Sequence, residues 1–265
     1  MQINNNEHLI FKRIKDGSSY IILFLASFVF IEFLVRAFML PLTLSFPLKR
    51  ADIVNEILGG IEAANYAYQN IMGLGSVVVQ VVAYIFFIFA IVAICNKVLV
   101  NDFNNFKVKI GNNIGMILVF GVAIYVVDII VSNVYAFLGE GGTSMNQLMI
   151  YGLLSSPARW LTILLTVLLA PIVEEMVFRK FMFGVFFDKL KFPIWLSGLL
   201  SATVFALIHV SSSLDQLIYF PQYFVLAIVL VGAYVYSKQN IWFSIGVHIF
   251  NNAVSVILWA ISTLI

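Results

Sequence analysis

Seven stretches of this chain stay apolar for about 20 residues at a time, the length an α-helix needs to cross the hydrocarbon of a bilayer. They lie at residues 20–46, 76–96, 114–138, 158–187, 194–210, 217–237 and 241–264. Inside lipid the backbone must satisfy its own hydrogen bonds, so such stretches fold as helices. Composition agrees, with 62% hydrophobic and only 11% charged residues, against about 45–50% and about 25% in soluble domains. The expected fold is all-α: a polytopic integral membrane protein of seven helices, or eight if the long fourth run divides into a span and an interfacial helix.

The same reading divides the chain into a polar cytoplasmic tail (1–19), three membrane helices with their loops (20–156) and a helical core (157–265). The tail has neither an early apolar core nor a small-residue cleavage site, so the first span is expected to anchor the chain rather than be removed. Residues 47–75 carry Asp52, Glu56 and Glu62 at helical spacing and read as an extramembrane amphipathic loop, with a short helix lying on the surface as the alternative. Residues 139–157, with Gly139, Gly141 and Gly142, read as a second loop.

Basic residues set the orientation. With the N-terminus inside, inner segments hold Lys12, Arg13, Lys15, Lys97, Lys107, Lys109, Lys189, Lys191 and Lys238, while outer ones hold only Lys49, Arg50 and Arg159. Seven spans then place the C-terminus outside. The net charge of +2 is small and its basic residues are dispersed, which argues against a nucleic-acid surface and for a lipid bilayer as the partner. Compact loops, without a long organellar targeting region, point to a bacterial plasma membrane. Cys95 is the sole cysteine, so neither an intramolecular disulfide nor a cysteine metal site can form.

An ionisable side chain deep in a span costs about 2.5–3.5 kcal/mol to insert and is a functional candidate by default. Glu32 and Arg36, four residues apart in the first span, read as a structural ion pair. Asp128 in the third span is equally open to a structural contact or a site role. The remaining set is Glu174, Glu175 and Arg179 on the fourth run, His209 near the end of the fifth, and His248 with Asn252 on the last. One helix turn brings Arg179 beside Glu175 and turns Glu174 about 100° away. His248 and Asn252 share a face and can donate hydrogen bonds toward one point. At about 1.5 Å per residue, His209 lies about 22 Å from the inner boundary, Glu174 about 20 Å and His248 about 11 Å. These groups meet only if the helices tilt and the fourth continues past Arg179.

At these positions the sequence resembles the CPBP intramembrane protease family, also called the Abi or CAAX-protease-like family. Its Glu-Glu-x-x-x-Arg motif is matched by Glu174, Glu175 and Arg179. Phe205 and His209 match Phe-x-x-x-His, and His248 and Asn252 match His-x-x-x-Asn. The resemblance covers residues 157–265. It implies peptide-bond hydrolysis within the membrane, on a membrane-associated peptide or membrane-protein substrate. In that reading Glu174, with His209, holds and deprotonates a water. His248 and Asn252 stabilise the oxyanion, and Arg179 holds Glu175. A glutamic mechanism without cofactor is favoured over a zinc site built from Glu174, His209 and His248, because no His-Glu-x-x-His pair is present and Asn252 suits donation better than metal binding.

Two other classes compete. One is a non-enzymatic bacteriocin immunity factor or a scaffold regulating a membrane partner. The other is a small transporter relaying protons through buried Glu and His. A scaffold need not retain all three motifs, and a transporter of this size would more often show repeated halves.

Overall fold

The structure, a computed structural model, describes residues 61–139, 142–210 and 213–264, with side chains from residue 72 onward. The expected first span, its Glu32–Arg36 pair and the polar tail lie outside the described residues. Regular structure among the described residues is entirely helical. The helices are α1 (Ile61–Val108), α2 (Ile110–Phe137), α3 (Met145–Leu154), α4 (Arg159–Lys189), α5 (Ile194–His209), α6 (Phe220–Tyr236) and α7 (Ile241–Ser262). A tight turn at Leu214–Tyr219 leads into α6.

Five helical columns among the described residues are long and apolar enough to cross a membrane: Met72–Val108, Ile110–Phe137, Arg159–Lys189, Leu214–Tyr236 and Ile241–Ser262. The protein is thus an integral membrane protein, helical throughout its described residues. The run at 194–210 departs from the expectation of a full span. Its helix α5 has 16 residues, about 24 Å, against about 30 Å of hydrocarbon.

Three loop expectations are corrected. The part of the 47–75 segment that is described is helical and belongs to α1. The basic stretch after residue 96 continues the same helix to Val108, because neither proline nor glycine interrupts residues 76–108. The 139–157 segment contains α3, whose start is capped by Ser144, its Oγ accepting from the Gln147 N–H at 3.2 Å.

One face of α1 packs inward at alternating steps of three and four residues: Val77, Val81, Tyr84, Ile88, Ile91, Cys95 and Val98. The opposite face leaves Phe86 and Phe89 exposed, as a lipid-facing side would. The inward stripe ends on a charge. Asp102 is buried and receives Lys180 Nζ at 3.0 Å and the Ile241 N–H at 3.3 Å. Asn240 donates to the Asp102 carbonyl at 2.7 Å while its own side-chain oxygen caps Trp242 and Phe243. Trp242 Nε1 donates to the Leu99 carbonyl at 2.8 Å. This polar clamp fixes the first turn of α7 against α1 and α4, and so sets where the rest of α7 lies. Asp102→Ala removes the counter-charge of the half-buried Lys180 ammonium and leaves it the Gln239 carbonyl at 3.3 Å, and breaking a buried pair costs about 3–5 kcal/mol. The expected result is a much lower unfolding temperature in detergent, largely recovered in the Asp102→Ala, Lys180→Met double variant.

Close packing of α5 has a sequence cause. Its buried face is Ser197, Gly198, Ser201, Ala202, Phe205 and Ala206; all but Phe205 are small residues that let helices approach where lipid provides no hydrophobic drive. A Cβ on Gly198 would meet Val231 Cγ1 of α6 at 2.6 Å. Ser201 Oγ donates to the Phe178 carbonyl of α4 at 2.7 Å.

The α4 column is continuous past Arg179 to Lys189, as convergence of the motifs requires. It is not a uniform α-helix, since Leu164–Leu169, Met176–Met182 and Val185–Lys189 form wide π-type turns. Pro171 explains the first. It lacks an N–H and its ring crowds the carbonyl one turn back, and the widened turn directly before it relieves that crowding.

Candidate active site

Glu175 on α4 has no solvent exposure and takes donors from two helices. Arg179, one turn along the same helix and equally buried, places Nε 3.3 Å from Oε2. From α7, Ser244 Oγ donates to Oε2 through a short hydrogen bond, and His248 Nδ1 donates to Oε1 at 3.1 Å. Ser244 and His248 are four residues apart and so reach the same carboxylate from one face of α7. A buried charge is tolerated only with a counter-charge and full hydrogen bonding, and Glu175 has both.

Glu174 sits differently. Its side chain retains 19% exposure, and Oε2 lies 3.7 Å from His248 Nε2. That separation exceeds a hydrogen bond, yet a reacting centre between the two atoms could lie about 3 Å from both. His248 therefore stands between the two carboxylates. Its ring is oriented by Glu175 and its far nitrogen faces Glu174.

Arg179 is held as an ion pair rather than by directed hydrogen bonds; none of its nitrogens has a hydrogen-bond partner among the described residues. Its guanidinium lies 5.2 Å from the centre of the Phe205 ring, where the ring's negative face attracts a cation. Phe205 also stacks on His209, at 4.3 Å and 26°, and meets His248 edge-on at 6.1 Å. Phe205 thus touches both histidines.

His209 is not joined to Glu174. Among the described residues no ion pair or hydrogen bond links them, and His248 occupies the place beside Glu174 that the sequence reading assigned to His209. His209 Nδ1 instead lies 2.8 Å from the Phe205 carbonyl, and its second ring face stacks on Tyr223 at 5.0 Å.

Asn252 is brought to α4 by the proline. In the wide turn preceding Pro171 the Ala170 N–H bonds the Leu165 carbonyl. The next carbonyl in that pattern, Thr166, faces Pro171, which has no N–H. Asn252 Nδ2 donates to it at 2.8 Å, which leaves the second amide hydrogen of Asn252 for another acceptor.

Asp128 accepts from Gln222 Nε2 at 2.8 Å, a contact tying α2 to α6. The sequence reading missed Ser244, although its place one turn before His248 was a usable signal. It also missed Tyr84, a partly buried residue on α1 within electrostatic range of Glu174, and Tyr223. Neither tyrosine lies near a motif in sequence. Among the described residues no three His, Cys, Asp or Glu side chains lie together as a set able to hold a metal ion. His248 engages Nδ1 with Glu175 and His209 engages Nδ1 with a backbone carbonyl, so both rings keep Nε2 for other chemistry, acid–base or metal-binding alike.

Residues 156–254 match the family described as type II CAAX prenyl endopeptidase Rce1-like, a stretch that contains all seven motif positions. The chain is also 29% identical over 140 residues to the Bacillus subtilis (strain 168) protein named "Putative membrane peptidase YdiL", an alignment covering 52% of this chain and 53% of that protein. It spans about half the length of this curated relative. No solved structure matches the chain.

Proposed function

Taking the chain as a member of the CPBP family through its Rce1-like residues 156–254, we propose that it is an intramembrane endopeptidase that hydrolyses a peptide bond in a membrane-associated peptide or protein. The observation that carries this reading is His248 held at 3.1 Å by one glutamate and facing a second across 3.7 Å. One glutamate is saturated with donors and the other is left free to act.

Glu174 is the general base. It takes a proton from a water, whose oxygen forms the new bond to the scissile carbonyl carbon. The developing oxyanion is received by His248 Nε2–H in the imidazolium form and by the second amide hydrogen of Asn252. Collapse of the tetrahedral centre breaks the C–N bond, and the proton held by Glu174 passes to the leaving amine. Glu175 and Arg179 orient His248 and do not meet the substrate. His209 borders the same space across Phe205 and offers its outer nitrogen to the water. No step requires a cofactor.

The test is a comparison of membrane peptides from cells carrying the wild type or Glu174→Gln. Fragments present only with the wild type, sharing one cleavage position, support the reading. Identical peptide sets from equally expressed proteins would return the chain to the immunity or scaffold class.

The orientation belongs to the same proposal: a bacterial plasma membrane with the N-terminus in the cytoplasm. Reporter tags after Lys12, within 139–142 and after Ile265 are expected to read inside, outside and outside. A cytoplasmic C-terminus would break the seven-span count.

A further inference from the structure

His209 is held by its motif partner Phe205, through both ring and carbonyl, and by Tyr223, which no motif contains. Phe205 stacks on one face at 4.3 Å, and Tyr223, from the first turn of α6, stacks on the other at 5.0 Å, both at 26°. Along the ring edge, Nδ1 lies 2.8 Å from the Phe205 carbonyl oxygen. A carbonyl only accepts, so this contact is a hydrogen bond only if Nδ1 carries the proton. In the neutral ring Nε2 is then a lone-pair acceptor, the form that can receive a hydrogen from a water.

Tyr223 is itself tied down. Its hydroxyl exchanges a 2.6 Å hydrogen bond with Ser144 Oγ and accepts from Asn146 Nδ2 at 3.3 Å. Ser144 is buried and caps the start of α3. Both partners come from the start of α3. Here the hydroxyl fixes the ring against α3, and the ring fixes the imidazole.

We infer that Tyr223 is a positioning residue for His209, which with Ser144 and Asn146 holds the imidazole plane so that its proton stays on Nδ1 and its acceptor nitrogen faces the site. The inference rests on the proposed reading of His209 as a site residue, but its test needs no substrate. The full chain, labelled with 15N-histidine and reconstituted in lipid bilayers, would be studied by solid-state NMR, with His209→Gln assigning the resonance. Ring nitrogens with and without a proton give well-separated 15N signals.

In the wild type His209 is expected to show one tautomer, protonated at Nδ1. Tyr223→Leu removes the stack and is expected to replace that single signature with a mixture of tautomers, while His248, held by Glu175, keeps its spectrum. Tyr223→Phe preserves the ring and the packing but cuts the tie to α3, and is expected to broaden the His209 lines. This second variant keeps the test open if Tyr223→Leu does not fold. A wild-type His209 protonated at Nε2, or an unchanged single sharp tautomer in either variant, would overturn the inference. A spectral change in a protein that cleaves nothing would sustain it while sinking the peptidase reading.

Discussion

Glu174→Gln is expected to yield a folded, membrane-inserted protein whose peptide cleavage is lower by about 10²–10⁴, the usual contribution of a positioned general base. The substitution keeps shape and polarity and removes only the ability to take a proton. Folding should persist because Glu174 is partly exposed and its nearest polar contact, His248 Nε2 at 3.7 Å, is no hydrogen bond. The companion change, Glu175→Gln, should behave otherwise. It disturbs the ion pair with Arg179 and the bonds from Ser244 and His248, so loss of activity should come with loss of stability. The measurement is cleavage of the substrate found by membrane peptidomics, beside unfolding curves for both proteins. A stable, inactive Glu175→Gln together with a fully active Glu174→Gln would exchange the two roles.

Arg179→Met is expected to cost about 3–5 kcal/mol, because it leaves the Glu175 carboxylate fully buried without its counter-charge. Against a total stability of about 5–15 kcal/mol this is large enough to reduce expression. The two side chains have no solvent exposure and lie 3.3 Å apart, so water cannot enter to compensate without opening the helix packing. The discriminating measurement is a double-mutant cycle in detergent. Arg179→Met combined with Glu175→Gln removes both charges and should recover most of the lost stability, since replacing both members of a buried pair is far less costly than orphaning one. Activity should not return, because His248 then lacks the carboxylate that orients it. Additive destabilisation would mean that the pair does not couple.

The sequence by itself determined the class of fold and one pairing within the candidate site. Apolar runs of spanning length leave the backbone no alternative to helix, and i,i+4 spacing alone placed Arg179 beside Glu175, as found. The same run-length criterion misjudged where helices stop. Lys97, Asp102 and Lys107 are polar but good enough helix formers that α1 continues through them, and Ser144 starts a helix inside a presumed loop. Polarity marks the edge of the hydrocarbon, whereas breakers and caps mark the end of a helix.

Only the tertiary structure decided which residues face one another. Lipid is as apolar as a helix interface, so the pattern on α1 does not announce that Val77, Val81 and Cys95 point inward while Phe86 and Phe89 point out. Without that rotation, His209 and His248 are interchangeable candidates for the place beside Glu174. Packing resolves the choice. The clamp of Asp102, Lys180 and Asn240 fixes the start of α7, and Ser244 and His248 then reach Glu175 together, with His248 facing Glu174. The proline at 171 acts in the same way, withholding a backbone donor from Thr166 and so giving Asn252 an acceptor. These are contacts between distant parts of the chain, set by helix tilt, rotation and the width of individual turns, which residue spacing along one helix does not encode.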